Sequence, residues 1–110
     1  MTEAVEKLAK ANKRMMGLFA ADKATLGAFR TLSDTAVRSG KLSSATKELI
    51  AAALAVSKGC EDCILYHVAE AKRHGAERAE LVEILAISIE MSGGPGVVYS
   101  AKALEAYDNL

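Results

Sequence analysis

The 110-residue chain carries 14 basic and 14 acidic side chains, so its formal net charge is zero, and 51% of its residues are hydrophobic. That balance speaks against nucleic acid or an anionic membrane as the main partner, and aromatic residues at 5% leave few platforms for stacking single strands. The length suits one domain able to bury its own core.

Met1 to Lys7 shows no basic segment leading into an apolar one, so no secretory signal is expected. The longest apolar run, Leu49 to Val56, has eight residues and is too short for a bilayer. The expected location is the cytoplasm.

Residues 3–20 place Val5, Leu8, Ala9, Met15, Met16 and Phe19 near helical period, with both methionines as core gap-fillers. Asp22 caps a second helix bearing Leu26, Phe29, Ser33, Ala36 and Val37 on one face, and Gly40 ends it. Ser43 or Ser44 caps a third, from about Ala45 to Lys58. Its Leu49–Val56 segment is apolar all round, which predicts a central buried helix. A buried strand is the rival for so short a run, and Ala51, Ala52, Ala53 and Ala55 decide for helix.

Gly59 stops that helix, and a fourth runs from about Cys60 to Arg73, with His74-Gly75 as its end signal. A fifth covers roughly 77–91, where Leu81, Val82, Ile84, Leu85, Ile87 and Ile89 occupy most of the circumference. Ser92-Gly93-Gly94-Pro95-Gly96 breaks it, and Pro95 opens a sixth helix through Tyr107. The glycine-rich break lacks the lysine of a phosphate loop and reads as a hinge. No alternating strand pattern, repeat or linker occurs. The expected fold is all-α, a single compact domain of about six helices over residues 1–110. Two nearly all-apolar helices exceed what one small bundle can cover, so a homo-oligomer is expected.

Both cysteines and one of the two histidines fall within Cys60-Glu61-Asp62-Cys63-Ile64-Leu65-Tyr66-His67. On a helix, residues three, four and seven apart share a face, so Cys60, Cys63 and His67 form one stripe. At a helix N-terminus the dipole favours a thiolate. Such a pair is a redox dithiol, half of a zinc site, or two small core residues. Only Cys60, Cys63, His67 and a carboxylate are at hand for zinc, and on one straight helix they converge poorly. His67 is either a satisfied core histidine or, four residues after Cys63, a general base or proton shuttle. Glu48 is either a first-turn acid facing water or, if the dithiol helix is its neighbour, a proton acceptor or an orienter of His67. Tyr66, Tyr99 and Tyr107 read as packing residues with wet hydroxyls, and His74 as a C-terminal cap.

Glu48-x11-Cys60-x2-Cys63-x3-His67 resembles the signature of the alkyl hydroperoxidase D-like group of the carboxymuconolactone decarboxylase superfamily. Leu42-Ser43 before Lys47-Glu48-Leu49-Ile50, Gly75-Ala76 and Gly93-Gly94-Pro95 are similar too, and the likeness covers about residues 25–107. The resemblance implies a helical fold assembling into trimers or hexamers, and a peroxiredoxin-type hydroperoxidase activity with no resident cofactor or metal. It implies Cys63 as nucleophile, Cys60 as resolving thiol, and Glu48 and His67 as proton relay. The implied partners are a small hydroperoxide and a dithiol donor, a lipoyl or thioredoxin-like protein. One position departs: better-characterised hydroperoxidases of this group carry a histidine where this chain has Asp62. A carboxylate there raises neighbouring thiol pKa values and removes one relay member. The alternatives are a carboxymuconolactone decarboxylase-like lyase using His67 and Glu48, and a non-enzymatic dithiol adaptor.

Overall fold

Six α-helices and no strand make up the computed structural model, which describes residues 1–110: α1 Glu3–Ala21, α2 Lys23–Val37, α3 Ser44–Lys58, α4 Glu61–Arg73, α5 Arg78–Ser92 and α6 Gly94–Asn109. Local chemistry accounts for the starts. Thr2, Asp22 and Ser43 each accept a hydrogen bond from a backbone N–H of the first turn they cap. Glu77 and Glu80 form a reciprocal capping box at α5, and Pro95 sits in the first turn of α6, where its missing N–H costs nothing. The second helix stops at Val37, three residues before Gly40, because Arg38 is already extended.

The core is one cluster drawn mainly from α3, α4, α5 and α6, including Leu49, Val56, Ile64, Val68, Leu81 and Ala103. Its tightest pairing is α3 with α4. The small residues Ala52 and Ala55 on α3 are buried and let α4 come close, so that Val68 is wholly excluded from water. Burying aliphatic side chains of this kind stabilises by roughly 1.5–3 kcal/mol each, and these contacts fix the α3–α4 geometry.

Two expectations are corrected here. The third helix is not buried all round: Ile50 and Leu54 remain exposed, because α4, α5 and α6 cover only one side of it. Met15 and Met16 lie outside the core, 50% and 71% exposed, since the C-terminal half of α1 runs past the end of the cluster. Helix α2 buries no residue at all, and Phe29 and Leu32 on it face solvent.

Candidate functional site

Each end of α4 is set by a turn of the same construction. At the first, Gly59 takes φ +66° and ψ +32°, its N–H donates to the Val56 carbonyl, and the Cys60 N–H donates to the Ala55 carbonyl. This paired pattern closes a helix on a left-handed glycine, a conformation that costs a side-chain-bearing residue about 1–2 kcal/mol. At the far end the Gly75 N–H donates to Lys72, the Ala76 N–H donates to Ala71, and Gly75 has φ +94°. His74 is the C-cap, as its position predicts.

The first turn delivers Cys60 to the N-cap of α4 instead of its first helical turn. Its sulfur accepts a hydrogen bond from the Cys63 N–H at 3.3 Å. The single helical stripe expected for the two sulfurs and the imidazole is thus bent at its start. Cys60 and Cys63 are joined as a disulfide with Cα atoms 5.2 Å apart. Cys60 is half-buried under the turn, whereas Cys63 is exposed. The two sulfurs of one bond meet different surroundings.

One turn after Cys63 on the same helix stands His67, at the edge of the buried face formed by Ile64, Leu65, Val68 and Ala71. Its Nδ1 lies 3.2 Å from Oε2 of Glu48 on α3. Glu48 shares the core face of α3 with Leu49, Ala52, Ala55 and Val56, which is why an acid so near a helix start is 2% exposed. His67 is its hydrogen-bond partner, leaving the imidazole side chain 25% exposed. A carboxylate can only accept, so Nδ1 carries the hydrogen and the lone pair of Nε2 is free to take or return a proton. The water-facing reading of Glu48 is set aside by this burial.

Tyr66 packs edge-on to His67, ring centroids 5.1 Å apart at 86°. Burial pushes its phenol above the ordinary value, and the carboxylates of Glu70 and Glu48 add to the effect. Asp62, which replaces the expected histidine, is exposed and paired with Arg14 of α1 at 2.7 Å, so its charge has a counterion. Glu61 meets Lys7 at 3.0 Å and Lys102 at 3.6 Å, and the Lys7 hydrogen bond holds its carboxyl below the usual range. No group of three or more His, Cys, Asp or Glu side chains converges with metal-binding geometry. No helix is long and apolar enough to cross a membrane.

Two tyrosines that sequence reasoning set aside as packing residues lie against the turns flanking α4. The Tyr107 hydroxyl is not wet: it donates to the Ala76 carbonyl at 2.8 Å. Tyr99 lies over Gly59, where an ideal Cβ would sit 3.3 Å from its Cζ and 3.4 Å from its Cε2. Their eight-residue spacing on α6, two helical turns, is the one sequence signal that links them.

The comparisons with known proteins agree with this fold. Residues 23–106 match the model of the carboxymuconolactone decarboxylase family. An uncharacterised protein of Cupriavidus necator is 47% identical over 109 residues, covering 99% of this chain and 96% of that protein. A Paracoccus denitrificans protein described as uncharacterised protein 4 in the cox locus is 36% identical, covering 76% of this chain and 75% of its own length. The crystal structure of an apo carboxymuconolactone decarboxylase family protein from Legionella pneumophila superposes with a TM-score of 0.92 at 34% identity, covering 96% of this chain and 95% of that one. With its helical architecture and the matched residues in agreement, the chain belongs to the carboxymuconolactone decarboxylase family.

Proposed function

We propose that this chain is a thiol-dependent hydroperoxide reductase of the alkyl hydroperoxidase D-like kind. The observation that carries the reading is the asymmetric disulfide, with Cys63 exposed and Cys60 tucked under a helix N-cap, one turn from a histidine paired with a buried acid.

In the reduced form the Cys63 thiol passes its proton to Nε2 of His67, and the resulting thiolate attacks the terminal oxygen of a hydroperoxide. The O–O bond breaks, Cys63 becomes a sulfenic acid, and the departing alkoxide takes a proton from Nε2 of His67 to leave as an alcohol. Cys60 then displaces water from the sulfenic acid, and the disulfide forms. An external dithiol attacks Cys63, the accessible sulfur. Cys60 leaves as a thiolate, stabilised by the Cys63 N–H that already points at it and by the helix N-terminus. The donor's second thiol releases Cys63 and closes the donor's own disulfide. Two electrons pass from dithiol to peroxide in each cycle. Glu48 holds the imidazole in the tautomer that keeps Nε2 working.

Exposed apolar side chains on α2, α3 and α5, among them Phe29, Leu32, Leu54 and Ile87, support a homo-oligomer. Sedimentation of the purified protein tests that reading.

Peroxide consumption with dithiothreitol as reductant is the decisive assay. Wild type turns over, Cys63→Ser does not, and a wild-type rate no higher than background sinks the proposal. The family's name-giving chemistry is a second reading, since Glu48 and His67 could act as acid and base on a lactone. Alkylating both cysteines of the reduced protein separates the two, because a decarboxylase would keep its activity. A dithiol adaptor would exchange electrons with a partner yet consume no peroxide.

A further inference from the structure

The reaction above requires the Cys60 and Cys63 sulfurs to meet readily, and Cys60 has two anchors. Its backbone N–H is tied to Ala55 through the turn on Gly59, and its sulfur caps α4. The turn itself is covered from a third element. Tyr99, half-buried on α6, lies where a side chain on Gly59 would have to go, so that a Cβ there would come within 3.3 Å of its Cζ. A glycine has no side chain to narrow its backbone freedom, so beyond the two backbone hydrogen bonds the turn depends on a neighbour for restraint.

We propose that Tyr99 is a positioning residue for the dithiol: its ring, seated on Gly59, holds the turn that carries Cys60 and so sets how readily the two sulfurs close into a disulfide. The inference rests on the redox reading and deepens it. The bulk of the ring does the work, since Cζ and Cε2 lie nearest the space a Gly59 side chain would fill, with the hydroxyl oxygen just behind at 3.5 Å. Removing the ring frees the turn, lowers the effective concentration of Cys60 at Cys63, and makes the disulfide easier to reduce.

The test is an exchange equilibrium. Protein disulfide and reduced dithiothreitol go to protein dithiol and oxidised dithiothreitol, two electrons and two protons moving together. The dithiol fraction is read by the mass shift on alkylation. Tyr99→Ala moves the equilibrium about tenfold toward the dithiol, equivalent to about 30 mV. Tyr99→Phe matches wild type. Leu85→Ala, a buried truncation on α5, whose backbone stays beyond 8 Å Cα–Cα from α4, weakens the fold and leaves the equilibrium in place. Should Tyr99→Ala fail to fold, Tyr99→Leu keeps the bulk without the flat ring and shifts the equilibrium at least threefold in the same direction. The proposal is overturned by an unshifted equilibrium in the alanine variant or its leucine substitute, by an equal shift in Tyr99→Phe, or by an equal shift in Leu85→Ala. The redox reading fails separately: a wild type that forms no disulfide in these buffers removes both, while absent peroxide turnover with an intact Tyr99 effect removes the peroxidase alone.

Discussion

At its N-terminal end α4 starts from Cys60, just past the left-handed Gly59, and at its C-terminal end it runs into the left-handed Gly75 and Ala76. Both turns use the same pair of backbone hydrogen bonds, and α6 reaches both with a tyrosine. The difference lies in what is held. Tyr107 spends its hydroxyl on the Ala76 carbonyl, a bond between two fixed groups. Tyr99 covers Gly59 with the hydroxyl end of its ring, next to a cysteine joined in a disulfide. A turn can thus be a terminus in one place and a mount for chemistry in another, with little change in backbone.

Substitutions should separate the two ends by kind of effect as well as by size. Cys63→Ser, at the reactive end, removes peroxide consumption entirely while the circular dichroism stays helical. Turnover surviving in that variant would make both ends structural. His67→Ala lowers the rate about 100-fold or more, the usual worth of a positioned acid–base group, measured as kcat/KM for a hydroperoxide. Glu48→Gln loses part of that, because the amide can leave the imidazole in the wrong tautomer.

The glycines give a sharper comparison in stability. Gly75→Ala has open space around the new methyl and pays only the backbone cost, about 1–2 kcal/mol. Gly59→Ala adds a contact of 3.3 Å with Tyr99 and should cost more by urea denaturation. In a Tyr99→Ala background that excess should vanish, a coupling that a double-mutant cycle reads directly. Equal costs at both glycines would mean that Tyr99 does not press on the turn.

Tyr107→Phe leaves the Ala76 carbonyl without its partner and should cost about 1 kcal/mol, with peroxide turnover unchanged. The smallest effect is one of pH. The Glu61 carboxyl is held down by Lys7, so its contribution is present above the ordinary carboxylate value of about 4.3 and fades as pH falls through the lower folded value. Lys7→Met should flatten that acid limb of the stability curve slightly, since the pair is solvent-exposed and screened.

Much of this was legible from the residues. Apolar spacing, serine and aspartate caps and the Gly-Pro break place six helices within a few residues of their observed ends, because those signals are local. The site pattern also reads from sequence, as Glu48 falls on the alanine-rich face that packs against the dithiol helix. What escaped depends on tertiary packing. Met15 and Met16 have core character, yet α1 outruns the cluster they would fill. Cys60 sits outside the helix because the turn on Gly59 ends one residue later than helical spacing assumes. No one-dimensional pattern tells that Arg14 will answer Asp62, or that a tyrosine forty residues on will cover Gly59.

Gly96 is the second glycine, after Gly59, where an added side chain would meet a neighbour, and its φ is ordinary. An added Cβ would sit 2.8 Å from the Ser88 carbonyl oxygen and 3.1 Å from the Ile89 Cα, so α5 and α6 touch main chain to main chain there. In a library of every single substitution, position 96 should therefore stand empty, rejecting even alanine on steric grounds.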